Sequence, residues 1–114
     1  MTNDLPLKWE EFQRVEMRVG TVISAEEFPE ARNSAYKLHI DFGPWGIKRS
    51  SAQITDLYHP QELIGKQVIA VVNFAPKQIA NMRSECLVLG AVGMNSEVSL
   101  LSVDRVVENG TRIG

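Results

Sequence analysis

Little in this sequence is suited to covalent chemistry. It holds one cysteine, Cys86, so no internal disulfide can form, and the thiol reads as a small buried hydrophobe in a reducing cytosol. Its two histidines, His39 and His59, lie near no second histidine, cysteine or paired carboxylate, and metal-ligand spacing is missing. The serine pair Ser50-Ser51 has no local base, and no glycine loop cradles a phosphate. Catalysis, a bound metal and an organic cofactor are therefore not expected. No apolar run approaches the roughly 18 residues of a membrane span. The opening Met1-Thr2-Asn3-Asp4-Leu5-Pro6 lacks a basic region followed by an apolar core, so a secretory leader is not expected and a cytoplasmic setting is. Linkers, internal repeats and low-complexity segments are missing too, and 114 residues fit one domain, 1–114. Excess positive charge is also lacking. Twelve cations face 14 acidic residues, a net charge of -2, which speaks against holding nucleic acid by bulk charge alone.

What is present is a run of short strand patterns. Val15 to Phe28 is rich in β-formers. In the next run Tyr36, Leu38, Ile40 and Phe42 alternate with Lys37, His39 and Asp41, the period of a half-buried strand. Gly43-Pro44-Trp45-Gly46 reads as a tight turn, and Ile47 to Ile54 as a polar return strand. Asp56 to Leu63 reads as one or two helical turns closed by Gly65. Gln67 to Phe74 and Cys86 to Val92 are apolar on both faces and read as central strands. Shorter strands follow at Glu97 to Leu101 and at Arg112-Ile113, with Asn109-Gly110 as a turn between. Trp9 and Phe12 stand one helical turn apart and are expected to pack on the barrel or on a second subunit.

This pattern predicts an all-β fold: a five-stranded OB-type Greek-key barrel with a short helix and extra terminal strands. An SH3-like barrel and a small sandwich are the alternatives, and the helix after the third strand favours the OB barrel. Such barrels bind ligands on the face of strands two and three, rimmed by two loops. Here the rims are Phe28 to Ala35 and Phe74 to Glu85. Residues 48–83 carry five cations against two anions, so a basic face on an acidic body is expected there. Along the third strand, alternation points Ser50, Ala52 and Ile54 inward and Arg49, Ser51 and Gln53 outward, with Lys48 at the end.

The stretch from Phe74 to Glu85 reads as a long loop, and loops of that length in small domains are usually functional. Its cations, Lys77 and Arg83, are interleaved with Ile79 and Met82, which suits gripping a polymer. The candidate polypeptide contacts are Ile79, Met82, Trp45 and Phe74. Trp45 is the best aromatic platform, and Phe74, at the end of an apolar strand, is also a candidate for the core. The candidate RNA contacts are Lys48, Arg49, Ser51, Gln53, Lys77 and Arg83. The apolar segments Val98, Leu100, Leu101, Val103, Val106 and Val107 exceed what five strands need, so a homodimer is expected.

Several separated blocks carry a resemblance. The stretch Phe12-Gln13-Arg14-Val15-Glu16-Met17-Arg18-Val19-Gly20-Thr21-Val22 resembles the opening motif of the tRNA-binding OB-domain family. So do Phe28-Pro29-Glu30-Ala31, Leu63-Ile64-Gly65-Lys66, Val72-Asn73-Phe74 and Asn109-Gly110-Thr111. Together they span about residues 9–114. Further blocks are similar to the family's export-related chaperone branch, the CsaA type. They are Ile40-Asp41-Phe42-Gly43, Gly46-Ile47-Lys48, Ser50-Ser51-Ala52-Gln53-Ile54-Thr55 and Ser84-Glu85-Cys86-Leu87-Val88-Leu89-Gly90. The family implies an OB fold, a homodimer and no catalytic centre. The branch implies binding of unfolded or export-bound precursor polypeptides and contact with the secretion motor SecA. The wider family implies tRNA as the alternative ligand. One departure bears on that choice. Members that bind tRNA carry Ser-x-Gly-Met where this chain has Ser84-Glu85-Cys86-Leu87, so a glycine is lost and an anion stands beside the phosphate path.

Overall fold

The computed structural model describes residues 5–114; Met1–Asp4, on which the reading of the N-terminus partly rests, lie outside the described residues. A short helix α1 (Trp9–Gln13) precedes the barrel strands β1 (Met17–Glu27), β2 (Tyr36–Asp41) and β3 (Ile47–Ala52). A 3-10 turn at Gly43–Trp45 joins β2 to β3. Helix α2 (Pro60–Leu63) leads to β4 (Gln67–Val71), the hairpin β5 (Lys77–Ile79) and β6 (Met82–Ser84), and then β7 (Leu87–Val88). A second hairpin, β8 (Gly90–Val92) and β9 (Val98–Leu100), and the last strand β10 (Arg112–Ile113) complete the chain.

The sheet runs β3-β2-β1-β4-β7, antiparallel throughout, with β10 added to β1. This is the nearly closed OB barrel that the strand pattern predicts. Its organiser is β1. On one edge Met17 to Thr21 pair with β4; on the other, Met17 and Arg18 pair with β10 and Thr21 onward with β2. A register shift between Val22 and Ser24 bends the strand so that it serves both halves. Gly20 lets it pass close over the core, because a Cβ there would collide with Ile40 and Phe42. The core gathers Val22, Leu38, Ile40, Phe42, Ile54, Leu63, Val68 and Ala70. Leu63 plugs it from α2. That helix starts on Pro60 and is fixed by the His59 N–H donating to Glu62 Oε1 at 2.7 Å.

Along β3, Ser50, Ala52 and Ile54 are buried, as the alternation requires, and Ser50 Oγ donates to the Cys86 carbonyl at 3.0 Å. The loop reading of Phe74 to Glu85 is corrected. The segment is a hairpin, pairing Lys77 with Ser84, Gln78 with Arg83 and Ile79 with Met82. Its turn is Ala80-Asn81, with Ala80 at φ 48°. The strand predicted for Cys86 to Val92 breaks at Leu89. Its N–H still reaches the Ile69 carbonyl, after which β8 leaves β4 for β9.

The C-terminal apolar residues are divided. Val98 and Leu100 pack on the barrel core, and the Leu100 N–H is held by Tyr58 Oη at 2.9 Å. Leu101 and Val106 remain exposed. Trp9 and Phe12 stack on each other, ring centroids 5.5 Å apart, and Trp9 is exposed rather than packed on the barrel.

Candidate polymer-binding cleft

A cleft of about 820 Å³ opens where the β1–β2 loop, the far end of β3 and the β5–β6 hairpin meet. It is lined by Ser51 of β3 and Gln53 just beyond it, by Phe74, Ala75 and Lys77 to Ala80, by Ser84 to Leu87, and by Glu30 to Asn33. The apolar part is supplied by Phe74, Ile79, Leu87 and small alanines. Phe74, also a candidate for the core, is 58% exposed because β4 ends at Val71 and the chain swings outward. Its neighbour Asn73 ties that swing to the N-terminal segment. The Glu16 N–H donates to Asn73 Oδ1 at 3.0 Å, and Asn73 Nδ2 donates to the Arg14 carbonyl at 2.6 Å.

The ionisable lining is balanced: Glu30 and Glu85 against Arg32 and Lys77. Glu85 is the most engaged of these. Its Oε1 accepts from the Arg49 N–H at 3.0 Å and from Arg49 Nε at 3.4 Å. Burial pushes its carboxyl up, but the Arg49 hydrogen bonds and the charges of Arg49 and Lys48 outweigh that and hold it below its ordinary value. The Glu85 N–H also donates to the Arg49 carbonyl at 2.8 Å. The barrel seam between β3 and the start of β7 is thus closed by one backbone bond and side-chain latches. Ser84 Oγ supplies another latch, accepting from the Ser51 N–H at 3.1 Å. Burial pushes the Cys86 thiol at the cleft base up to about 11, which leaves it protonated and unreactive at neutral pH.

The cleft gathers Ser51, Gln53, Phe74, Lys77 and Ile79 of the residues singled out in sequence. The others are placed elsewhere. Met82 is only 5% exposed, so it is no rim contact, although its pairing puts it on the same face of the hairpin as half-buried Ile79. Trp45 lies at the opposite end of the β2–β3 hairpin. Its face is taken by Arg18, whose guanidinium carbon stands 4.1 Å from the ring centroid. Lys48 shares the inward-facing side of β3, being paired with Ile40. Arg49 is drawn to Glu85, and Arg83 is exposed on the hairpin outside the cleft lining. His39 is half-buried between Ser24 and Arg49.

Sequence reasoning missed Arg32, Asn33 and Leu87. Arg32 was the one cation in a loop already named as rim. Leu87 was hidden in an apolar run whose outward alternation gave no sign.

A family model described as "Putative tRNA binding domain" matches residues 17–112. The solved structure of chaperone CsaA from Bacillus anthracis str. Ames is 50% identical with a TM-score of 0.92, covering 96% of this chain and 100% of that one. The CsaA chaperone protein from Picrophilus torridus is 48% identical with a TM-score of 0.89, covering 96% of this chain and 100% of that one. Among curated sequences, a methionine–tRNA ligase from Bdellovibrio bacteriovorus is 34% identical over 107 residues, 94% of this chain. The chain spans 15% of the length of that ligase.

Proposed function

We propose, on the premise that this chain belongs to the tRNA-binding domain family, that it binds unfolded polypeptide in its cleft as a chaperone of the CsaA type. The carrying observation is the cleft itself. Exposed Phe74 and Leu87 and half-buried Ile79 line it together, while two carboxylates offset two cations. A polyanion gains little from a site of balanced charge, whereas an unfolded chain gains from covering apolar side chains, about 25 cal/mol per Å² of apolar area. The likeness to two solved CsaA chaperones supports the same choice.

The working unit in this reading is a homodimer. Trp9, Leu101 and Val106 are exposed on the monomer, and a second copy would cover them. Two clefts on one dimer hold a long client by effective concentration, so each contact stays weak and release stays fast. We place the protein in the cytoplasm, where export-bound precursors and SecA are its partners. The reading is of a binding protein, not a catalyst. The test is binding of a fluorescently labelled unfolded precursor at physiological salt, challenged with bulk tRNA, with light scattering at micromolar concentration for the dimer. Saturable binding that tRNA does not displace is the expected result. No precursor binding removes the chaperone reading, and a monomer removes the two-cleft model.

One observation favours tRNA as a second ligand: Arg32, Lys77 and Arg83 are exposed cations in or beside the cleft, in a family matched to tRNA binding. Three phosphate contacts give a log–log salt slope of roughly -2 to -3. Reversing Lys77 and Arg83 to Glu should flatten that slope in a salt titration with tRNA, and an unchanged slope removes these residues from the RNA site.

A further inference from the structure

The Asn109-Gly110 turn joins two residues that the fold needs for separate reasons. Gly110 takes φ 94°, and a Cβ there would collide with the Phe42 carbonyl and the Trp45 ring. Asn109 serves as an acceptor: its Oδ1 receives Thr21 Oγ1 at 2.7 Å and Gln67 Nε2 at 3.3 Å. Side by side they form the one Asn-Gly pair in the sequence, and that pair has a chemistry of its own. The side-chain carbonyl of an asparagine is open to attack by the main-chain nitrogen of the next residue. Attack is least hindered where that residue is glycine, which has no side chain to stand in the way.

In the fold the reaction is held off. To close the ring, the peptide plane between Asn109 and Gly110 must swing until its nitrogen meets Asn109 Cγ. The Gly110 N–H opposes that swing by donating to the Val19 carbonyl at 2.7 Å, and the Val19 N–H donates in turn to the Thr111 carbonyl at 2.9 Å. The Asn109 carbonyl oxygen lies against Gly43, in space that a side chain there would fill. Thr21 and Gln67 hold the Asn109 side chain itself. Beyond these contacts the turn is kept in place by the Arg18 bond to the Gly110 carbonyl and by β10, which pairs with β1 at two positions. A ladder that short opens locally at a lower cost than the barrel.

We propose that Asn109 is a modification site exposed only by the opened turn, where spontaneous deamidation marks copies of the chain whose β10 has left β1. The Gly110 nitrogen gives up its proton and bonds to Asn109 Cγ, and the side-chain nitrogen leaves with that proton as ammonia. The cyclic imide then takes up one water. Cleavage of the new bond gives aspartate. Cleavage of the original peptide bond gives iso-aspartate, joined to Gly110 through the side chain. The two products differ in fate. An aspartate still accepts from Thr21 and Gln67, since both are donors at this site. Iso-aspartate lengthens the main chain by one carbon just ahead of β10, so Gly110 no longer meets Val19 in the register that pairs Arg112 with Arg18. The turn therefore re-forms on the first product and not on the second.

The experiment incubates the wild-type protein in mildly alkaline buffer, with and without denaturing urea, and follows it by peptide mapping with mass spectrometry. The exposed Asn33 and Asn81 serve as internal references. In urea Asn109 should deamidate faster than both. In native buffer it should be slower than in urea by about a hundredfold or more, while the references change far less. Thr21→Val, which removes one hydrogen bond on Oδ1, should raise the native rate about two- to tenfold and leave the rate in urea unchanged. The wild-type comparison stands alone should that variant not fold. On return from urea, iso-aspartate at 109 should stay in the fraction that does not refold, and aspartate at 109 should pass into the folded one. An Asn109 no faster in urea than Asn33 overturns the site. A rate that changes between buffers no more than the references do overturns the gating by the turn. Iso-aspartate at 109 recovered in folded protein overturns the difference in fate.

Discussion

At the turn end of the β2–β3 hairpin, Arg18 donates to Glu16 Oε1 at 2.8 Å and to the Gly110 carbonyl at 2.8 Å, and lies over Trp45. At the open end, Arg49 lies against Glu85, and Phe74 supplies the aromatic ring. Both ends therefore hold a cation, an anion and an aromatic. At the turn end Arg18 engages both of the others, though Trp45 stays 51% exposed, and the cluster pins the Asn109-Gly110 turn to β1. Thr21 Oγ1 adds a bond to Asn109 Oδ1 at 2.7 Å. At the open end the charges pair with each other while Phe74 and Leu87 stay exposed. The difference teaches that residue types mark a cluster as important, and that whether the cation lies on the aromatic ring, as Arg18 does on Trp45, separates holding the fold from holding a ligand.

The sharpest way to break this comparison lies within the open end. Met82→Ala should cost about 2–4 kcal/mol of fold stability, the price of a cavity at a buried methionine, measured by urea denaturation. A stable variant with weakened polypeptide binding would return Met82 to the rim. Next, Arg18→Ala should cost about 1.5–3 kcal/mol of stability, since it removes charge-assisted hydrogen bonds and a cation–π contact together. Its affinity for unfolded precursor should be unchanged in a titration; a loss of affinity would mean that the two ends are not independent. Replacing Phe74 and Ile79 together by Ser should do the reverse. It should weaken precursor binding by about 1–2 kcal/mol and leave the unfolding free energy read from urea denaturation within the scatter of surface substitutions, about 0.5 kcal/mol.

The smallest effect is that of pH on the seam. The Glu85 carboxyl is held below its ordinary value of 4.5 in the fold. Its stabilising contribution is therefore complete above that value and is lost as pH falls through the lowered one. Wild type should lose more stability than Glu85→Gln between neutral and strongly acidic pH, read as urea midpoints against pH. Parallel curves would show that the latch carries no charge-dependent stability.

The barrel was legible in the sequence because its signals are local. Alternation from Tyr36 to Phe42 and the Gly43 to Gly46 turn each stand within a few residues and appear where expected, and of the helical turns expected over Asp56 to Leu63 the part from Pro60 onward forms. The cleft was legible only as a neighbourhood. Ser51, Gln53 and Lys77 were named because alternation and charge mark them. Trp45 and Met82 lie outside it for a different reason. Trp45 is exposed, as expected, but stands at the far end of the hairpin against Arg18, and Met82 is buried in a hairpin that reads as a loop. An Ala-Asn turn with positive φ at alanine carries no glycine or proline signal. Glu85 was read as an obstacle to phosphate, whereas its first task is closing the seam, a role that emerges only when β3 lies beside it.

The pairing of Met17 with Ile113 and Arg18 with Arg112 has a bearing on synthesis. The first barrel strand cannot complete its ladder until a segment more than ninety positions downstream has been made. Contacts so distant in sequence form late and slowly. While residue 113 is still inside the ribosome, β1 presents an open edge and Arg18 lacks its Gly110 partner. A protein proposed to guard unfinished chains thus leaves its own first strand without one partner until residues 112–113 have been made.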